Sequence, residues 1–283
     1  MEYILLVVVA SGTTFQNVMA KRFNTKESII NPFFYSTTVG FVAMIFFALA
    51  AGFKLNFNAE FLPYSIIFGV AFASASVGNV YAMKNGPMSL TSLMLSLSLI
   101  IPTMFGIVVL NDPVGYLTYI GIAMLIVAIV LINIKNERGT KLSLKWVIYV
   151  MITFFGNGAC TTIQKMQQLA FDGAYKSEFM IVALVIVWVS LFLLGLRQNG
   201  NKREMLKIAA KYAAPAGLAN GMVNLLVMVL TAMLPSAVLY PSVSACGMIL
   251  TFILALTVFK ERLSKTQTIG YIAGIISVIL LNL

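Results

Sequence analysis

Residues 116–134 read Tyr-Leu-Thr-Tyr-Ile-Gly-Ile-Ala-Met-Leu-Ile-Val-Ala-Ile-Val-Leu-Ile-Asn-Ile, without a charge. A helix needs about 20 residues to cross the hydrocarbon layer of a bilayer, so a run of this length reads as a membrane span. A barrel strand would instead alternate polar and apolar residues over about ten positions. Ile126-Val127-Ala128-Ile129-Val130 does not alternate, and neither does Val7-Val8-Val9. Backbone groups in lipid must be paired within their own segment, so continuous apolar runs mean helices.

The same signature recurs along the chain, at 3–20, 30–52, 62–83, 88–110, 115–134, 146–168, 178–196, 212–233, 236–258 and 266–283. Soluble domains carry about 25% charged residues. Here 10% are charged and 60% hydrophobic, with a mean hydropathy of +0.95, which leaves little for a water-facing surface. The longest polar stretches, 135–145 and 197–211, are too short for a soluble domain. We therefore expect an all-α integral membrane protein of ten transmembrane helices, with residues 1–283 forming a single membrane domain. Met1-Glu2-Tyr3 lacks the basic start of a secretion signal, so the first run is read as a span. Cys160 and Cys246 lie inside apolar runs and read as small core residues, with no disulfide framework. The absence of histidine excludes imidazole metal sites and histidine acid–base chemistry, and no cofactor or metal is expected.

The positive charges fix an orientation. Connections after spans 1, 3, 5, 7 and 9 hold 16 of the 19 Lys and Arg residues, and the opposite side holds only Lys54, Lys165 and Lys176. Basic residues collect in cytoplasmic loops, so the odd connections face the cytoplasm and both termini face outward, in the cell membrane. The same rule accounts for the net charge of +10 without a nucleic-acid partner.

Slid by 149 residues, 105–134 lies on 254–283, with identities at Val109/Val258, Ile120/Ile269, Gly121/Gly270, Ile126/Ile275, Leu131/Leu280 and Asn133/Asn282, and Asp112 over Glu261. A shift of 144 sets Gly12 on Gly156 and Lys21 on Lys165. Two repeats follow, 1–138 and 139–283, each of five spans. An odd number per repeat makes the second enter the membrane in the opposite sense. Inverted repeats of this kind are typical of transporters, which hold substrate near the midplane.

Two segments carry a family resemblance: Tyr81-Ala-Met-Lys-Asn-Gly-Pro-Met-Ser-Leu-Thr-Ser-Leu, and Leu256-Thr-Val-Phe-Lys-Glu-Arg-Leu-Ser-Lys-Thr-Gln-Thr-Ile-Gly-Tyr. With the two-half layout they make the whole chain resemble the EamA-type ten-helix members of the drug/metabolite transporter superfamily. The resemblance implies a carrier for small metabolites such as amino acids or nucleobase-like compounds. The chain departs from the family in having Asn111-Asp112-Pro113 where Glu is usual. The familiar ten-helix members are also thought to keep their termini in the cytoplasm, the reverse of the charge count here. Four-helix multidrug relatives carry a membrane glutamate eight residues before a lysine. The matching positions here, Thr13 before Lys21 and Asn157 before Lys165, are neutral.

Polar side chains within spans should face the bundle interior or a wet cavity. Asn157, Thr161, Gln164 and Gln168 share one face of span 6, and Thr13 and Asn17 occupy the equivalent positions of span 1. Asn220 and Asn224 lie beside Gly217 and Gly221 on span 8, Ser74, Gly78 and Asn79 on span 3, Ser89, Ser92 and Ser96 on span 4, and Ser236, Tyr240, Gly247 and Thr251 on span 9. The ordinary role of such residues is interhelical bonding, at about 0.6 kcal/mol each. The alternative is a substrate cavity built from Thr13, Asn17, Asn79, Asn157, Thr161, Gln164, Asn220, Asn224 and Tyr240. Pro102 and Pro241 are hinge candidates, and Lys21, Lys84 and Lys165 are expected to snorkel to the interface or to meet an anionic group. Glu178 is the one carboxylate placed to couple transport to protons, or else an interfacial charge beside Lys176.

The sequence thus points to a secondary transporter, in a bilayer, for a small neutral or zwitterionic molecule. The rivals are a multidrug or cation exporter coupled through Glu178, and a non-transporting membrane sensor or scaffold. An enzyme is not expected. Monomer and homodimer stay equally open.

Overall fold

The computed structural model describes residues 2–26, 31–85, 88–133, 143–257 and 264–281, all helix, turn or connection with no strand among them. Glu261, its neighbours Lys260 and Arg262, Asn282, and the basic residues Lys135, Arg138 and Lys141 lie outside the described residues, as do the side chains of Lys21, Ser89, Ser92 and Thr251.

The helices are α1 (Glu2–Lys26), α2 (Pro32–Ala50), α3 (Leu62–Asn85), α4 (Met88–Leu97), α5 (Ile100–Val108), α6 (Tyr116–Asn133), α7 (Leu144–Ala170), α8 (Lys176–Leu196), α9 (Lys202–Met233), α10 (Ser236–Thr257) and α11 (Lys265–Leu281), with a 3-10 turn at Ala59–Phe61 before α3. Among the described residues six helices are long and apolar enough to cross a membrane: α1, α2, α3 with its preceding turn, α7, α8 and α9. The protein is a multi-pass, all-helical membrane protein.

Local chemistry sets the helix ends. Asn31 caps α2: its Oδ1 accepts the N–H groups of Phe33 at 3.1 Å and Phe34 at 3.2 Å, and Pro32 fills the first position, where no donor is needed. The Asn31 amide is buried and donates across to the Gly195 carbonyl at the end of α8, 3.0 Å away. At the other end of α2, Gly52 and Phe53 take left-handed φ of 60° and 58°, and the Phe53 N–H turns back to the Ala48 carbonyl at 3.0 Å.

Two expectations need adjusting. The stretch expected as one span at 88–110 is two helices, α4 and α5, parted at Ser98 and Leu99. Pro102 has no N–H to give the Ser98 carbonyl, so the Ile101 N–H takes that carbonyl instead, at 3.1 Å. The polar stretch 197–211 is not mainly a connection, because α9 begins at Lys202. Its early turns are amphipathic: Met205, Ala209 and Tyr212 are buried with Phe23 and Phe34, while Arg203, Lys207 and Lys211 are exposed. A hydropathy reading sees the charges and misses the three-four spacing of the buried face.

By contact the chain forms two compact units, one of residues 1–10, 78–162 and 233–283, the other of 11–77 and 163–232. In the first, α6 packs along α11, and α10 packs on α5, α6 and α11. In the second, α2 packs along α8. Two glycines in the second unit allow a very close approach. A Cβ on Gly69 of α3 would stand 2.9 Å from the Ala183 carbonyl and 2.9 Å from Ile186 Cβ, both on α8. A Cβ on Gly217 of α9 would stand 2.8 Å from the Val39 carbonyl and 2.7 Å from Val42 Cβ, both on α2.

Gly69→Ala and Gly217→Ala are each expected to lower thermal stability in detergent by about 1–3 kcal/mol, the usual cost of overpacking. Gly40→Ala, whose added Cβ would be 3.8 Å from Val187, is the tolerated control. Equal melting temperatures by fluorescence-detected size exclusion for all three would contradict the packing described.

Candidate functional site

In the second unit, amides from three helices form a chain of hydrogen bonds. Gln16 of α1, half-buried, is followed one turn back by Gly12, whose carbonyl accepts from Gln16 Nε2 at 3.4 Å. Gln16 Oε1 accepts from Asn220 Nδ2 of α9 at 2.9 Å. Asn220 Oδ1 accepts from Asn224 Nδ2 at 3.2 Å, one helical turn on. Asn224 Oδ1 lies 3.5 Å from Gln164 Nε2 of α7, which is buried. Next to Gln164, the Lys165 ammonium donates to the Thr231 carbonyl in the last turn of α9 and is only 5% exposed. This lysine does not snorkel. Lys84, by contrast, is exposed and lies 5.7 Å over the Tyr81 ring.

In the first unit a second group surrounds the break between α4 and α5. Asn157 Nδ2 of α7 donates to Ser98 Oγ at 2.5 Å, and Ser98 Oγ donates to the Leu95 carbonyl at 2.6 Å. Thr161, one turn further along α7, donates to the Gly158 carbonyl at 3.0 Å. Its own carbonyl accepts from the buried Tyr240 hydroxyl of α10 at 3.1 Å. The N-terminus of α10 is capped from a distance, with Asp112 Oδ2 accepting the Ala237 N–H at 3.1 Å. Asn79 lies half-buried on α3, and its Oδ1 has no hydrogen-bond partner among the described residues. Beside this group, Leu97, Leu99, Ile100, Leu125, Pro241 and Ser244 help to line a recess that is mostly aliphatic.

The expected residues therefore separate. Gln164, Asn220 and Asn224 come together, and so do Asn157, Thr161 and Tyr240. Thr13 is half-buried on α1, while Asn17 is exposed. Glu178 lies in the first turn of α8, where its Oε1 accepts the Asn56 N–H at 2.9 Å. Sequence reasoning missed Gln16 and Ser98. Gln16 stands four residues after Gly12, and Gly12 faces Val223 of α9. That i, i+4 pair was the available signal.

Residues 1–134 match the model of the EamA-like transporter family. That segment, just under half of the chain, is similar to the EamA-like transporters, the family that the sequence resembled. A solved structure described only as "Crystal structure of protein" shares the fold, with a TM-score of 0.74 over 98% of both chains at 13% identity. No curated protein sequence matches. The family is one of membrane transporters for small molecules, and the amide and hydroxyl groups above are polar chemistry held within the described helices.

The Gln16–Asn220 bond should be detectable in a double-mutant cycle. Gln16→Ala and Asn220→Ala are expected to couple by about 0.6 kcal/mol, the mean for interhelical bonds in a bilayer. Strict additivity in the melting of the four proteins would remove the bond.

Proposed function

We propose that the protein is a secondary transporter that carries a small neutral or zwitterionic metabolite, such as an amino acid or a nucleobase-like compound, across the cell membrane by alternating access. In this reading ten spans form two inverted five-helix repeats, 1–138 and 139–283, with both termini outside.

The observation that carries the repeat is the pair of close glycine approaches. Gly69 and Gly217 are 148 residues apart, and their partners Ala183 and Ile186 stand 144 residues beyond Val39 and Val42. The same contact is thus made twice, α3 on α8 and α9 on α2, by equivalent residues of the two halves. The helix pairs α2 with α8, α5 with α10 and α6 with α11 each join a span to its own counterpart. Self-pairing of this kind is what a pseudo-twofold axis in the membrane plane demands, and carriers built so present two equivalent gates.

Substrate chemistry follows from the polar groups where the halves meet. Gln16 with Asn220, and Ser98 with Asn157, each join a first-half residue to a second-half one. Amides and hydroxyls both donate and accept, which suits a neutral or zwitterionic molecule better than a lipophilic cation. Asn79 Oδ1, without a partner among the described residues, offers an acceptor to a substrate donor. The proposed polar groups of one unit are Asn79, Asn157, Thr161 and Tyr240, and those of the other are Thr13, Asn17, Gln164, Asn220 and Asn224. The α4–α5 break and the prolines Pro215 and Pro241 inside α9 and α10 provide places for helices to flex.

Purified protein in liposomes is expected to exchange at least one member of a broad panel of neutral and zwitterionic metabolites. Asn157→Ala and Asn224→Ala should each slow that uptake at normal expression. No movement of any panel member would sink the transport reading, and unchanged uptake in both variants would remove the two residues from the site. Membrane-impermeant labelling of terminal cysteines on intact cells should succeed at both ends.

A further inference from the structure

The connection between α2 and the Ala59–Phe61 turn carries Phe53, Leu55 and Phe57, which are 71%, 46% and 70% exposed. Lys54, Asn56 and Asn58 alternate with them. In water three large exposed apolar side chains on one short connection would be a liability. Here they are held outward by ordered backbone. Phe53 sits at φ +58° in the turn that closes α2. Phe57 packs edge-on against Phe61, centroids 5.5 Å apart, and the fully buried Phe61 lies 5.6 Å from Tyr175 at the start of α8. Asn58 caps the following turn by accepting the Glu60 N–H at 3.0 Å.

Depth is fixed by one bond. Asn56 donates its N–H to Glu178 Oε1, in the first turn of α8, 2.9 Å away. Both α2 and α8 are long and apolar enough to cross the membrane. The loop therefore lies level with the mouth of α8 and does not rise away from the bilayer.

We infer that residues 53–57 form an interfacial loop: Phe53, Leu55 and Phe57 enter the boundary between lipid headgroups and acyl chains, and Glu178 is the post that holds them there. Apolar side chains bury at that boundary, while a lysine beside them extends to the lipid phosphates, which is the place Lys54 occupies. Glu178 becomes a positioning residue for this loop, in place of the proton-coupling role that the sequence left open. The inference rests on the multi-pass membrane character alone and survives any revision of the substrate.

The test uses the full chain with Cys160→Ala and Cys246→Ala. Single cysteines replace Phe53, Lys54 or Phe57 and carry an environment-sensitive fluorophore, in phosphatidylcholine liposomes. Labels at 53 and 57 are expected to emit to the blue and to lose intensity to nitroxide-bearing lipids. The label at 54 should lose intensity to aqueous iodide. Glu178→Ala should shift the label at 57 to the red, and Glu178→Gln, which keeps an oxygen acceptor, should not. Asn56→Pro removes the donor while leaving Glu178 in place, and should give the same red shift as Glu178→Ala. Iodide reaching 53 and 57 as readily as 54 would overturn the interfacial loop. A label at 57 unmoved by both Glu178→Ala and Asn56→Pro would overturn the role of Glu178.

Discussion

A peptide group without a partner in hydrocarbon costs several kcal/mol, and the irregular points of this chain are arranged around that cost. The clearest case is the gap between α4 and α5. Pro102 withholds one donor, so the Ile101 N–H takes the Ser98 carbonyl and Thr103 Oγ1 takes the Leu99 carbonyl at 2.8 Å. Ser98 Oγ takes the Leu95 carbonyl and in turn accepts from Asn157. The turn from α7 to α8 is handled in the same way. Asp172, Gly173 and Tyr175 adopt left-handed φ, and Gln167 Nε2 satisfies the Ala174 carbonyl at 3.0 Å. At both places the freed carbonyls are met by donors close by in the chain, and at the α4–α5 break α7 adds the Asn157 amide, which donates to Ser98 Oγ. Asn157 thus has a structural partner in Ser98 whether or not it also meets a substrate.

The same constraint explains what the sequence disclosed. Apolar runs betray helices because lipid permits no unpaired backbone, and among the described residues each expected span overlaps a helix or, at 88–110, two, six of these helices being long and apolar enough to cross. It could not disclose the exact break. A proline reads as a kink at itself, but its missing donor is felt four residues earlier, at the Ser98 carbonyl. Nor did it disclose the first ten residues of α9, because charged residues on an exposed face dilute hydropathy even when Met205, Ala209 and Tyr212 are buried.

The polar site was half legible for a related reason. One residue along a helix turns the side chain by about 100°, so aligning span 1 on span 6 selected Asn17, while the contact with α9 belongs to Gln16. Repeat symmetry predicts equivalent backbone places. It does not predict equivalent side chains, and Cys160 is what the alignment sets opposite Gln16. The close contacts of Gly69 and Gly217 fall at matching places of the two expected repeats, whereas the amide chain Gln16–Asn220–Asn224–Gln164 does not. In the proposed carrier, matched packing would keep the outward and inward forms similar in energy, and unmatched polar groups would recognise a single asymmetric substrate.

Lys165 shows how far local structure can alter the meaning of a charge. A buried ammonium in a membrane span would ordinarily be read as a substrate or ion site. Its Nζ meets the Thr231 carbonyl two residues before α9 ends, where the unsatisfied carbonyls of a helix C-terminus carry partial negative charge. The lysine and the helix end answer each other's needs, which a neutral residue at this position would not do. Gln164 precedes Lys165 on α7 and reaches Asn224, so neighbouring residues of α7 bond the same α9. A buried positive charge can thus serve to hold α7 against the end of α9.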